Sequence, residues 1–239
     1  LHLDFISIMM KILKLKLIDG AHMAKGVVVV IDVFRAFSVA PYMIHKGAQR
    51  IYTVATVEEA FYLKSLIPDA VLVGERNEKK CAGFDLGNSP THILNFDFSG
   101  RTVIHTTSSG TLGISLAKDA DEILPGSFVN ARAIADYLIG KNPEVVSLVS
   151  MGYEGKTSTQ EDDFCADYIE NCINGVETDF FSMVETLRYG DGARLLDPAN
   201  HEHSPASDFD LCLSKDIFTF VLTVKKNNEG FTYLEKIVK

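Results

Sequence analysis

The chain alternates between short runs of consecutive apolar residues and longer stretches where apolar positions recur every three or four residues. Val27-Val28-Val29-Val30-Ile31 is the clearest run, β-branched throughout and followed at once by Asp32. A run without polar alternation is a strand buried on both faces, as in a parallel sheet covered by helices. The same pattern predicts strands over 27–33, 50–54, 71–74, 101–106, 122–124 and 145–150. Helices are predicted over 36–46, from the Thr56-x-x-Glu59 capping box to before Pro68, and over 110–118, 130–139, 162–173 and 178–188. Lysines alternating with apolar residues over 11–18 predict an edge strand protected by charge. Near the end, 218–225 and 231–238 flank Asn227-Asn228-Glu229-Gly230, a hairpin signal. The predicted class is α/β, three-layer α/β/α, with a largely parallel sheet, antiparallel additions and a C-terminal hairpin. With no repeat, low-complexity tract or linker, residues 10–239 read as a single domain. Residues 1–9 read as an upstream extension, with Met9 or Met10 as a natural start.

Composition narrows the function. The 239 residues, 46% hydrophobic, supply ample core. A net charge of −9 excludes a nucleic-acid backbone as partner. It leaves room for a small anionic ligand, because local charge at a site outweighs the total. Cys81, Cys165, Cys172 and Cys212 show no paired spacing, which fits a reducing cytoplasm rather than disulfides or zinc. Lys11, Lys14 and Lys16 interrupt the apolar N-terminus, so neither a membrane span nor a signal peptide is predicted. A homo-oligomer is compatible with this composition.

The candidate chemistry sits where strands end. Strand 27–33 delivers Asp32 and Arg35, and a charge there needs a partner or a ligand; an internal Asp–Arg ion pair is the alternative. Strand 71–74 runs into Gly74-Glu75-Arg76 and then Gly83-Phe84-Asp85-Leu86-Gly87-Asn88-Ser89-Pro90. Carboxylates and Asn/Ser oxygens are hard ligands suited to Mg²⁺; the alternative is a surface loop whose Asp85 and Asn88 support turns. Strand 101–106 runs into Thr106-Thr107-Ser108-Ser109-Gly110-Thr111 and a helix. Free N–H groups and hydroxyls at such a start bind phosphate, or Ser108 or Ser109 serves as a plain N-cap. The Walker A ending and the three-glycine dinucleotide spacing are both missing. In open parallel sheets ligands bind beyond the carboxyl ends of the strands. One crevice there would gather Asp32, Glu75, Thr106 and Gly126.

Together these motifs resemble the 2-phosphosulfolactate phosphatase (ComB) family. The resemblance is carried by Asp32-Val-Phe-Arg35-Ala36, Gly74-Glu75-Arg76, Gly83-Phe-Asp85-Leu-Gly87-Asn88-Ser89-Pro90, Thr106-Thr107 with Gly110-Thr111, Gly126-Ser127-Phe-Val-Asn130-Ala131, and Glu161-Asp162 with Cys165-Ala166. It implies a Mg²⁺-dependent phosphatase acting on the phosphate ester of a small sulfonated hydroxy acid, a step associated with coenzyme M synthesis. The chain departs from the family pattern at Phe37, at the extra serine of the 106–111 turn, at Asp167 and in the segment between Arg76 and Gly83. Phe37 and that serine are expected to alter the pocket beside the phosphate. The alternative reading is a non-catalytic protein that kept the phosphate pocket.

Phosphate ester hydrolysis needs charge neutralisation, a positioned nucleophile and a proton for the leaving oxygen. The expected Mg²⁺ ligands are Asp32, Glu75 and Asp85. Asp32, Arg35 and Asp162 are the catalytic candidates. Ser38, Arg76, Asn88, Ser89, Thr106, Thr107, Ser108, Ser109, Gly110, Thr111 and Ser127 are the expected substrate contacts. Glu161 reads as a helix-dipole partner and Cys165 as a buried small hydrophobe, since no Cys-x₅-Arg loop surrounds it. Asp32 lacks an Asp-x-Asp pattern, which favours water as nucleophile. His201 and His203 are set aside as solvated loop residues.

Overall fold

The computed structural model describes residues 10–238; the predicted extension 1–9 lies outside the described residues. The strands are β1 (Lys11–Lys16), β2 (Gly26–Ile31), β3 (Arg50–Thr53), β4 (Val71–Arg76), β5 (Lys79–Lys80), β6 (Thr102–Thr106), β7 (Ala120–Gly126), β8 (Val145–Ser150), β9 (Phe220–Lys226) and β10 (Thr232–Val238). The helices are α1 (Leu17–Met23), α2 (Ala36–His45), α3 (Val57–Leu66), α4 (Pro90–Leu94), α5 (Gly110–Leu116), α6 (Ala131–Lys141), α7 (Gln160–Asn174), α8 (Phe180–Tyr189), α9 (Ala193–Leu196) and α10 (Ser207–Cys212).

Two sheets form. The first is parallel throughout, in the order β1-β8-β2-β7, and the second is mixed, in the order β5-β4-β6-β3-β10-β9. In the mixed sheet β4, β6 and β3 are parallel, while β10 joins β3 and β9 joins β10 antiparallel. β7 and β9 adjoin, so one sheet leads into the other.

Why β2 carries no polar residue is visible in its packing. Successive strand residues point to opposite faces. Val28 and Val30 enter a core shared with Phe37 and Met43 of α2 and with Val71, Val103 and Leu234 of the mixed sheet. Val27, Val29 and Ile31 enter a second core with Ile134 and Leu138 of α6 and Ile169 of α7. A third core, with Ala60 and Leu63 of α3, covers the outer face of the mixed sheet. Helices therefore lie on both faces, and the three-layer α/β/α class holds.

The boundaries differ in instructive ways. β2 stops at Ile31 rather than at 33, because Asp32 and Val33 open the turn into α2. β1 is an edge strand as expected, but it ends at Lys16 and α1 begins at Leu17. Its lysines also hold α7 in place: Lys14 meets Asp167 at 3.0 Å and Glu170 at 2.7 Å, and Lys16 meets Asp163 at 2.6 Å. The segment 197–207, expected as a polar loop, holds a 3₁₀ turn over Pro198–Asn200 and the first residue of α10. Elements this short offer too few positions for a helical period to emerge. The hairpin forms as predicted, with Asn227 Oδ1 accepting from the N–H groups of Glu229 at 3.0 Å and Phe231 at 2.9 Å. All four cysteines are free and buried. Among the described residues no helix is long and apolar enough to cross a membrane.

Candidate active site

A cleft opens where the strands end. It is lined by Asp32, Phe34 and Arg35 after β2, by Glu75, Asn77 and Glu78 around the β4–β5 turn, by Ser108 and Ser109 after β6, and by Tyr153 and Glu154 after β8.

Asp32 is the first residue past the central strand and is 5% exposed. Its Oδ1 accepts from Ala36 N–H at 3.0 Å, and the Gly110 N–H also donates to the carboxylate. Burial pushes its carboxyl up to about 7 against the pull of those two amides, and the charges of Glu75 and Glu161 add to the rise. Gly110 is required by close approach: a Cβ there would stand 2.9 Å from Asp32 Oδ2 and 2.8 Å from Ala36 Cβ. Glu75 faces the same cleft, accepting from Ser108 N–H at 2.7 Å and Glu78 N–H at 2.9 Å. In the 106–111 turn expected to grip phosphate, the Ser108 and Gly110 N–H groups are thus already bound to carboxylates. The Thr111 N–H is also taken, by Thr107 Oγ1 at 3.2 Å.

Arg35 lies beside Asp32 and is buried at 4% exposure. Its Nη1 donates to Asp208 at 2.7 Å and to the His203 carbonyl at 2.8 Å. The expected alternative of an Asp32–Arg35 pair is replaced by this longer-range one. Asp208, on α10 and fully buried, also accepts from Ser89 Oγ at 2.8 Å, Thr91 N–H at 3.0 Å and Thr91 Oγ1 at 2.6 Å. One carboxylate thereby ties Arg35, the start of α4 and α10 together.

Asp162 sits behind Asp32 rather than in the cleft lining. Its oxygens accept from Val33 N–H and Gly152 N–H, both at 2.8 Å, which pins the ends of β2 and β8. Burial raises its carboxyl well above the ordinary range, with Asp32 and Glu161 adding to the effect. Each of its oxygens is thus engaged by a backbone N–H. Glu161 is more than a dipole partner, since it pairs with Arg194 Nη2 at 2.7 Å.

The expected contacts divide. Asn88, Ser108 and Ser109 line the cleft with Asp32, Arg35 and Glu75. Ser38 and Ser127 are fully buried and donate to the carbonyls of Val33 at 2.8 Å and Phe37 at 3.0 Å. Thr107 and Thr111 bond to each other, and Thr106 Oγ1 accepts from Arg76 at 2.8 Å, which leaves Arg76 outside the lining. Ser89 caps α4. Phe37 is 0% exposed, so it fills the core and not the pocket beside the ligand.

Asp85 requires a correction. The loop after β5 doubles back along β4, with Asp85 and Leu86 N–H both donating to Leu72 O at 3.1 Å. This returns Asp85 to the start of β4, where its Oδ2 accepts from Leu72 N–H at 2.8 Å. Leu72 and Glu75 are three residues apart on an extended strand, about 10 Å. Asp85 lines a separate hollow with Lys80, His92 and His203, so it does not join Asp32 and Glu75. Among the described residues no three His, Cys, Asp or Glu side chains are grouped to hold a metal by themselves. Asp32 and Glu75 are the pair that could share a cation.

Several groups in and around the cleft escaped the sequence. Arg194 and Asp208 come from short helices of irregular pattern. His105, fully buried on β6, faces Asn88 Oδ1 through Nε2 at 3.1 Å. Burial, with Arg76 nearby, lowers its pKa to about 3, so the ring is neutral. A neutral ring donating to Oδ1 fixes the orientation of Asn88. A polar residue inside an otherwise apolar strand was the available signal. Cys165 is fully buried, and its thiol is raised well above its ordinary value by that burial.

Fold and cleft together define an α/β protein with an acidic ligand site at the carboxyl ends of its strands. The family model described as 2-phosphosulpholactate phosphatase matches residues 12–227. The chain belongs to that family, one of phosphoric monoester hydrolases. A Clostridium perfringens (strain 13 / Type A) protein named probable 2-phosphosulfolactate phosphatase is 37% identical over 179 residues, covering 72% of this chain and 71% of that one. A Bacillus subtilis (strain 168) protein of the same name is 31% identical over 215 residues, covering 88% and 91%. One from Caldanaerobacter subterraneus subsp. tengcongensis is 33% identical over 217 residues, covering 83% and 87%.

Proposed function

We propose that the chain is a Mg²⁺-dependent phosphatase that hydrolyses 2-phospho-3-sulfolactate to sulfolactate and inorganic phosphate. The relatives' names support the substrate. The observation that carries the metal is the buried Asp32–Glu75 pair at the head of the cleft. A phosphate dianion cannot approach two carboxylates without a cation between them. The pair fits an ion that keeps several waters as ligands, as Mg²⁺ does. Bound there, Mg²⁺ would neutralise phosphoryl charge and orient water.

The chain's own residues supply the rest. Water attacks phosphorus, the bond from phosphorus to the ester oxygen breaks, and the leaving oxygen takes a proton. Arg35, aimed by Asp208, stabilises the charge on the phosphoryl oxygens as the bond breaks. Asn88, held by His105, and the Ser108 hydroxyl, which also bonds Glu75, position the ester, while Ser109 Oγ ties the turn to Gly152 O at 2.8 Å. Asp162 keeps the β2 and β8 ends in register around it. The four unpaired thiols favour a reducing compartment.

Phosphate release from phospho-hydroxy acids and from an aryl phosphate, with and without Mg²⁺, tests this reading. Turnover should require Mg²⁺ and favour the sulfonated acid. Glu75→Ala should raise the Mg²⁺ concentration needed, whereas Asp85→Ala should leave it unchanged. Absence of turnover on every ester would point to a binding protein instead.

A further inference from the structure

Arg194, contributed by α9, stands next to the cleft lining without being part of it. Its guanidinium lies 5.5 Å from the Phe34 ring and 6.0 Å from the Tyr153 ring, and both rings line the cleft. Two carboxylates hold it. Glu161 bonds Nη2 at 2.7 Å with only 2% of its side chain exposed, and Glu78 bonds Nε at 3.0 Å with 31% exposed. The two pairs differ in kind. Removing the partner of a buried ion is costly, so the Glu161 pair is permanent. The Glu78 pair is the more exposed of the two, so it is the one that a competing anion can replace. Glu78 also sits on a two-residue turn with Asn77, both at positive φ (63° and 51°), that projects over the cleft.

We propose that Arg194 recognises the second anionic group of the substrate, the sulfonate or carboxylate of the hydroxy acid, by exchanging Glu78 for it. This rests on the phosphatase reading above for the identity of the ligand. The phosphate occupies the Asp32–Glu75–Arg35 end of the cleft. Arg35 is already committed to Asp208, and Glu75, Glu78 and Glu154 make the rest of the lining acidic. An ester with a second anion needs a second cation, and Arg194 is the arginine placed to provide it. A guanidinium fork suits three-oxygen and two-oxygen anions alike. Displaced from Arg194, Glu78 swings into solvent and the mouth of the cleft opens.

The test is calorimetric binding of sulfolactate, lactate and inorganic phosphate, with Mg²⁺ present, to the wild type, Glu78→Gln and Arg194→Lys. Lysine keeps a positive charge beside Glu161, and both variants are checked for native circular dichroism. Glu78→Gln should tighten sulfolactate several-fold and Arg194→Lys should weaken it about tenfold or more, with phosphate unchanged in both. A response of sulfolactate alone assigns the sulfonate to Arg194, and an equal response of lactate assigns the carboxylate. Unchanged sulfolactate affinity in both variants overturns the proposal. So does a phosphate affinity that shifts with Glu78→Gln by the same factor, which is a general charge effect. Failure of the wild type to hydrolyse any ester would remove the phosphatase reading, while these binding ratios would still decide the role of Arg194.

Discussion

The turns at the strand ends line the cleft, the helical segment from 176 to 215 stands behind that lining, and the two do different work. The strand ends present Asp32, Glu75, Ser108 and Ser109 to the cleft, and the backbone N–H groups of Ala36, Glu78 and Ser108 hold the two carboxylates. The helical segment presents Asp208 and Arg194, which grip Arg35, Glu161 and Glu78 through side chains distant in sequence. Strand ends are placed by ladders that ten strands share. The helical segment is placed by those ion pairs together with Leu187, Leu195 and Phe209, which are buried in the second core. Groups that meet the ligand therefore tolerate substitution as a fold problem better than the groups that aim them.

Substitutions should separate the two. Asp32→Asn should lower turnover about a thousandfold, roughly 4 kcal/mol of transition-state stabilisation, with an unchanged circular dichroism spectrum; wild-type rates in the purified variant would remove Asp32 from the chemistry. Asp208→Ala should instead act on the fold. It leaves Arg35 buried without its counter-charge, which costs about 3 kcal/mol or more in urea unfolding. A loss below about 1 kcal/mol would mean that the segment is held by packing alone.

The pH dependence gives a finer contrast. The Asp32 carboxyl is raised from 3.8 to about 7 by burial. Between those values the folded chain holds a proton that the unfolded chain has released. Its contribution to stability is present at low pH and is lost as pH rises through about 7. The melting-temperature difference between wild type and Asp32→Asn should follow this slope without Mg²⁺ and flatten with it. A flat difference without metal would contradict the burial argument. His105 has the opposite sign. Its pKa is lowered to about 3, so it destabilises the folded chain as pH falls below 6.5. The smallest effect is expected at the protein's rim. Lys14→Ala, which breaks exposed pairs to Asp167 and Glu170, should cost less than about 1 kcal/mol and vanish in high salt.

How much of this was legible follows the same division. The apolar run of β2 announced a central strand, and a charge directly after such a run announced a site. That Asp32, Arg35 and Glu75 meet at one cleft was readable for that reason. The split into two sheets was not, because nothing in a strand's own pattern says which strand lies beside it. Asp85 was misplaced because a loop's direction of return depends on backbone pairing, here Asp85 and Leu86 with Leu72. Arg194 and Asp208 were hidden because α9 and α10 are shorter than two helical turns, and their partners come from Arg35, Glu78 and Glu161 far upstream.

The register of the parallel sheet has a consequence for how the chain assembles. β1 pairs Lys11 with Val145, and β2 pairs Val27 with Val146, so both wait for a strand from the second half of the chain. β3, β4 and β6, all within residues 50–106, can associate sooner. Closing long loops before any contact rewards them slows folding. During synthesis the β4-β6-β3 part of the mixed sheet should therefore gain protection from hydrogen exchange first. The surroundings of Asp32 are gathered from residues as far apart as Ala36, Gly110 and Glu161, so its burial is completed only late in assembly.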